Sequence, residues 1–348
     1  MSSTRTSAAA TDGRTLADAR DQRLRRRAGM VSLVVALVLL FAKFQAYRIT
    51  GSTAVLSDAM ESIVNVVASL FALGGLVFAG VPADRNHPFG HGKIEFMAAA
   101  FEGGLIVFAA ILIVWEACKA MVTGVEVQDL DVGLWITIGA GVANALLGWF
   151  LIGVGRRTRS LTLVADGKHV LADFWTSVGV VTGLGLVAAT DIEWFDPIAA
   201  IVVALYLLWT GGHLLRTAAS GLLDEEDPEL VDRLVTELGQ HLGHGVIRVH
   251  HLRAIRAGRF HHVSAHLVVP EFWTVERSHA LSERVAEQVM MKLGVEGELV
   301  FHTDPCHRAY CQMCDVEPCG VRIAEFAGRP PLSVEEAVRP DPPRPPAS

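Results

Sequence analysis

The sequence predicts an α-helical membrane protein, with six transmembrane helices followed by a cytoplasmic α+β domain of order αββαβ. Three observations predict it. Of the 348 residues 51% are hydrophobic and only 19% are charged. The charges avoid six apolar stretches, each close to the ~20 residues that a ~30 Å hydrocarbon core requires. After Asp224 the hydrophobic period changes and charge rises, which marks a second, soluble domain.

The six stretches run at about 28–48, 53–80, 94–118, 132–155, 161–189 and 196–217. A single one could be a buried core helix, but six in succession leave little room for that reading. Residues 1–27 are polar and rich in Ser, Thr and Ala, and are expected to form a disordered cytoplasmic segment with no cleavable signal peptide. Lys and Arg are retained on the cytoplasmic side of a membrane. Arg20, Arg23 and Arg25 to Arg27 precede span one, Arg85 and Lys93 lie between spans two and three, and Arg156, Arg157 and Arg159 lie between four and five. The other side carries Glu126, Asp129, Asp131, Asp191 and Glu193, with Arg48 and Lys119 as exceptions. Both termini are therefore expected in the cytoplasm, and residues 28–220 in the membrane. The net charge of −7 comes without a basic patch interleaved with aromatics, so the expected environment is a lipid bilayer and not nucleic acid.

Polar residues inside the spans carry the chemistry. In span five, LTLVADGKHVLADFWTSVGVV places His169 and Asp173 four residues apart on one helix face, with Asp166 a further turn back. Charged groups in hydrocarbon cost at least ~2.5 kcal/mol each, so they persist where they face a bundle interior and meet a partner. Span two answers with Asp58, Glu61 and Asn65, the last two again four apart. Measured at 1.5 Å per residue, Glu61 lies roughly 12 Å from the outer surface and level with Asp173, and Asn65 lies level with His169. Histidine, carboxylate and amide oxygen at two matched levels suit a divalent transition metal, zinc being the plainest case. Asp58 and Asp166 are additional candidates. Hydrogen bonding between helices is the alternative use of such residues.

At these residues the chain resembles the cation diffusion facilitator family, six-span exporters of divalent metals with a cytoplasmic C-terminal domain. SDAMESIVN (57–65) is similar to the family's second-helix motif and ADGKHVLAD (165–173) to its fifth-helix motif. The resemblance covers about 28–305 and implies a transport site at Glu61, Asn65, His169 and Asp173. Glu61 and Asn65 depart from the pair usual there, His or Asp followed by Asp. The loop PADRNHPFGHGKIE (82–95) cannot form a regular helix, because of its prolines and glycines. It resembles the loop metal site of the bacterial zinc/iron branch, which implies Asp84, His87 and His91 as ligands.

In the soluble domain, 221–305, Asp227 and Pro228 start a helix to about Gln240. Strands are expected at 246–256 and 260–270, a helix at about 274–293 and a last strand at 298–303. Val263, Ala265, Leu267 and Val269 share one strand face, and His262, Ser264 and His266 the other. This order looks like the family's metallochaperone-like dimerisation domain, which implies a homodimer and ligands at His250, His266, His279, His302 and Asp304, with His251 also available. His241, His244, His261 and His262 are expected at the surface. The segment 306–322 holds Cys306, Cys311, Cys314 and Cys319 beside His307. Cytoplasmic thiols stay reduced, so this spacing points to a structural zinc or iron–sulfur site. Cys118 is read as packing. The Pro-rich end, 323–348, is expected to be disordered.

The expected function is export of divalent cations from the cytoplasm by metal/proton antiport through the inner membrane. Zinc leads, with iron, cobalt, cadmium and manganese in the same class. No phosphate-binding GxxxxGK[ST] loop and no HExxH occurs, so an enzyme is not expected. A membrane metal sensor or scaffold that does not transport is the rival reading.

Overall fold

The computed structural model describes the backbone of residues 3–50, 53–123, 131–190, 192 and 194–340, with side chains from residue 19 onward except at 50, 53–55, 57, 58, 123, 131–137, 184 and 188. The side chains of Glu126, Asp129, Asp131, Asp191 and Glu193, used above for orientation, lie outside the described residues. The chain divides into two units, 1–223 and 224–348.

Unit one consists of α1 (Ser3–Thr50), α2 (Thr53–Ala79), α3 (Ile94–Thr123), α4 (Asp131–Arg157), α5 (Leu161–Thr190) and α6 (Phe195–Leu222). All six are long and apolar enough to cross a membrane. The main packing pairs are α1 with α2, α3 with α6 and α4 with α5, and α5 also touches α2, α3 and α6. That central position is what brings the polar face of α5 against its neighbours. The α4–α5 contact depends on two glycines: a Cβ on Gly148 would lie 2.9 Å from the carbonyl oxygen of Gly167, and the reverse distance is also 2.9 Å. Backbones this close leave space for no side chain, which is how small residues hold membrane helices together.

The N-terminal segment corrects an expectation. Residues 3–27, expected to be disordered, continue α1 as helix. The segment contains no proline, and its alanines, leucines and arginines are good helix formers. It also extends a helix that already exists, so no separate nucleation is needed.

Unit two begins with α7 (Pro228–Gln240), where the Asp227 carboxylate accepts from the backbone N–H of Glu229 at 3.1 Å and of Leu230 at 3.2 Å. There follow β1 (Arg248–Ala257), β2 (Phe260–Val269), α8 (Val275–Leu293) and β3 (Glu296–Pro305). The sheet order is β1-β2-β3, with β1–β2 antiparallel and β2–β3 parallel. Val263, Ala265, Leu267 and Val269 are buried with Leu234 and Leu238 of α7 and Val285 and Val289 of α8 in one core. The alternation of β2 thus buries one face and leaves the other for histidines.

The Pro-rich end is a second correction, since it is ordered as far as Pro340. Residues Val334–Val338 form α9, capped by the Ser333 hydroxyl accepting from Glu336 N–H at 3.2 Å, with Ala337 buried in the core. The Arg248 guanidinium, itself buried, donates to both Glu336 oxygens at 2.6 Å and to the Pro330 carbonyl at 2.7 Å. His251 N–H donates to the Arg339 carbonyl at 2.9 Å. Composition alone points to disorder there, because the partner that orders the segment lies 88 residues away in sequence. Residues 341–348 lie outside the described residues.

Replacing Gly167 with Val should force α4 and α5 apart and move His169 and Asp173 with them. The expected result is a lower melting temperature, a loss of about 1–3 kcal/mol, together with weaker metal binding; unchanged melting would show that the close approach is dispensable.

Candidate metal centres

The intramembrane centre joins α2 to α5. The Asn65 amide Nδ2 donates to Asp173 Oδ2 at 2.6 Å, and its Oδ1 lies 3.2 Å from His169 Nε2. His169 is buried. The Asp173 main-chain carbonyl accepts from the hydroxyls of Thr176 at 2.8 Å and Ser177 at 2.9 Å, so those two hydroxyls are satisfied within α5. Three of the four expected residues therefore meet. The matched levels do not hold strictly, because Asn65 reaches both His169 and Asp173, one turn apart; the depth estimate takes both helices as perpendicular to the membrane. Glu61, one turn before Asn65, is exposed. The side chain of Asp58 lies outside the described residues. Asp166 is fully buried, with the Ser32 hydroxyl of α1 beside its carboxyl group.

Two acids of α3 escape a reading based on spacing within a helix. Glu102, fully buried, places Oε2 at 3.6 Å from His169 Nδ1, and neither of its oxygens accepts a hydrogen bond among the described residues. Glu95, two turns earlier, accepts from Arg25 at 3.3 Å and from the Ser160 hydroxyl at 2.6 Å, while Arg25 also donates to the Thr158 carbonyl. The signal that could have found Glu102 is its being the one acid within the apolar run from Phe96 to Trp115.

The loop centre lies between α2 and α3. Asp84 Oδ1 accepts from the backbone N–H of Asn86 at 2.8 Å and of His87 at 2.7 Å, and lies 3.2 Å from His87 Nδ1; Oδ2 lies 3.4 Å from His91 Nε2. Gly90, at φ 79°, lets the turn fold back so that His91 meets His87 with ring centroids 4.3 Å apart. One ligand atom from each of Asp84, His87 and His91 lies within 4.8 Å of the others. The hydrogen bond from His87 N–H lowers the Asp84 carboxyl from its ordinary value, which favours the anion that faces the two imidazoles.

The third centre is assembled by strand register. His250 pairs with His266 across β1–β2, and His266 with His302 across β2–β3. Asp304 then sits among them, with Oδ2 at 2.9 Å from His266 Nδ1 and 3.4 Å from His250 Nε2, and Oδ1 at 3.3 Å from His302 Nε2. His250, His266 and Asp304 form the second group whose ligand atoms lie within 4.8 Å of one another. His251, in a left-handed conformation at φ 50°, stacks on His266 at 4.7 Å. His279 is not part of this group: it is exposed on α8 and paired with Glu283 at 3.2 Å. His261, expected at the surface, is buried with Nδ1 at 3.2 Å from the Glu296 carbonyl.

The cysteine segment folds as a 3-10 turn, Arg308–Met313, against the sheet. Cys306 N–H donates to the Val269 carbonyl at 2.8 Å, and Cys314 packs with Ile247 and Val268. Arg322 donates to the main-chain carbonyls of Cys311 at 3.4 Å, Cys314 at 3.0 Å and Val316 at 3.0 Å, closing the turn. Burial pushes the Cys306 thiol up, and the neighbouring Glu271, Cys314 and Cys319 push the same way. The thiols are not gathered to within 4.8 Å in threes among the described residues.

Comparison with known proteins agrees with this architecture. The model of the cation efflux transmembrane domain matches residues 29–223, and that of the cation efflux protein cytoplasmic domain matches 227–306. The chain is 36% identical to an uncharacterized transporter of Synechocystis sp. over 283 residues, covering 81% of this chain and 91% of that protein. It is 29% identical over 294 residues to the cation-efflux pump FieF of Escherichia coli O1:K1, covering 82% of this chain and 94% of the pump. The same identity and coverage hold for FieF of Shigella sonnei. With a six-helix membrane unit and an αββαβ unit both matched, the chain belongs to the cation efflux, or cation diffusion facilitator, family of metal transporters.

Proposed function

We propose that the chain exports divalent transition metal cations, zinc foremost, from the cytoplasm in exchange for protons. It does so as a homodimer in a bacterial inner membrane, with both termini cytoplasmic. The observation that carries this reading is the meeting of Asn65, His169 and Asp173 between two apolar helices. An imidazole and a carboxylate can hold either a dication or protons, so the two compete for one place, and exposure to each side in turn moves them in opposite directions. The metal takes Asp173, His169 Nε2 and the Asn65 oxygen, with Glu61 as a further acid from α2. Glu102 faces the other ring nitrogen and holds the imidazole in position, as outer carboxylates do for metal-bound histidines.

The loop residues Asp84, His87 and His91 form a cytoplasmic-side entry site, and His250, His266, His302 and Asp304 bind metal in the soluble domain, where it reports the cytoplasmic load. The family's cytoplasmic-domain match supports the dimer. The tail cysteines suit a structural zinc ion, since thiolates are its preferred ligands and two of the four are already buried in one turn.

Asp173→Ala should abolish metal flux into proteoliposomes while expression and dimerisation persist; near wild-type flux would place the transport site elsewhere. Metal binding without flux in the native chain would favour a sensor.

Glu102→Leu should weaken metal binding at the intramembrane centre roughly 10–100-fold. It should have no further effect in a His169→Ala background, because it acts through that ring. Additive losses in the double variant would show that Glu102 works independently of His169.

Cys311→Ser with Cys314→Ser should remove one metal equivalent from the purified protein and leave flux measurable. Because burial keeps the Cys306 thiol protonated to higher pH than usual, metal retention in the native tail should fall earlier on acidification than at an ordinary four-thiolate site. A metal count unchanged by the substitutions would assign the tail to packing.

A further inference from the structure

Where α1 and α4 meet, Arg20, Arg23, Leu24, Arg27 and Arg157 line a cavity of about 350 Å³. Positions 20, 23, 24 and 27 fall on one face of α1 at spacings of three and four, and Arg157 closes the cavity as the last residue of α4. Among the described residues none of these four arginines forms an ion pair, and the one side-chain hydrogen bond that any of them makes is from Arg23 Nε to the Ala19 carbonyl, at 3.1 Å. Their neighbour Arg25 behaves differently, turning inward to Glu95. Positive-inside charge accounts for basic residues near this membrane boundary, but not for four guanidiniums around one cavity with no counter-charge paired to them among the described residues.

We propose that this cavity binds the phosphate of an anionic phospholipid headgroup. Guanidinium forks match phosphate oxygens two at a time, so four of them suit one or two phosphates better than any carboxylate. The cavity's level argues for a lipid. Arg27 immediately precedes the apolar run that begins at Ala28, and Arg157 ends a span of apolar residues, so the site lies at the edge of the hydrocarbon, where headgroups are. Leu24 and the arginine stems give the wall an aliphatic part that a glycerol backbone can cover and a free phosphate cannot use.

The test is lipid retention by the full-length protein, read by native mass spectrometry after exposure to cardiolipin, phosphatidylglycerol, phosphatidylcholine or inorganic phosphate. Anionic lipids should remain bound and phosphatidylcholine should not. Affinity should drop roughly 5-fold for each arginine changed to Gln at 20, 23, 27 and 157. Since those arginines also help to set orientation, Arg→Lys at all four keeps the charge and insertion while removing the forked bonds, and should bind several-fold more weakly. Arg284→Gln, on the exposed face of α8, should change nothing. Wild-type retention in the Gln or the Lys variant overturns the proposal, as does equal binding of phosphatidylcholine. Displacement of the lipid by an equal concentration of inorganic phosphate would reassign the cavity to a free anion.

Discussion

Hydrocarbon offers no water to a polar atom, and the arrangement of the membrane unit depends on that constraint. A hydrogen-bonding group left alone there costs several kcal/mol, so each must find its partner within the protein. At one end of the bundle Arg25, Glu95 and Ser160 meet that requirement, joining α1, α3 and the start of α5. Deeper in the same bundle Asn65, Asp173 and the Nε2 of His169 meet it for α2 and α5. Glu102 does not among the described residues, and it lies 3.6 Å from the other nitrogen of His169. An unsatisfied acid beside a histidine is where a positively charged guest has most to gain. The Gly148–Gly167 contact belongs to the same logic, because close backbones fix α5 firmly enough to keep its polar face aligned.

Much of this was legible in the chain. Six apolar runs and the change of period after Asp224 are properties of short windows, and the elements that follow from them need no distant partner. The four-residue spacing of Glu61 with Asn65 and of His169 with Asp173 likewise depends only on helix geometry. Glu102 was not legible in that way. It stands alone in its apolar run, and its neighbour His169 comes from a helix two spans later. The tail failed for a similar reason: its proline content is a local property, whereas Arg248, which orders it, is not.

The soluble unit shows what register contributes beyond motif. His250, His266 and His302 are 16 and 36 residues apart in sequence, yet they occupy adjacent strands at the same level. A shift of one residue in either pairing would send alternate histidines to the buried face. The core residues Val263, Ala265 and Leu267 therefore specify the position of the histidines as well as the fold, since they decide which face of β2 goes in. No property of a single strand reveals that alignment. The β1 irregularity between His250 and Arg253 adds His251 to the cluster in a backbone conformation that a sequence window does not disclose.

The amide of Asn65 is directional in a way that a carboxylate is not. Its NH₂ group is committed to Asp173, so its oxygen is the end that faces His169. An oxygen can only accept, which means that this hydrogen bond forms when the imidazole carries its hydrogen on Nε2, the atom a metal needs bare. In the proposed function, loading begins by clearing that hydrogen, either out of the protein or across the ring towards Glu102. An aspartate at position 65 would likewise accept from His169 but could not donate to Asp173, so it would set two carboxylates against each other where the amide joins them. In the proposed exchange, the hydrogen on Nε2 leaves before the cation is bound at that atom.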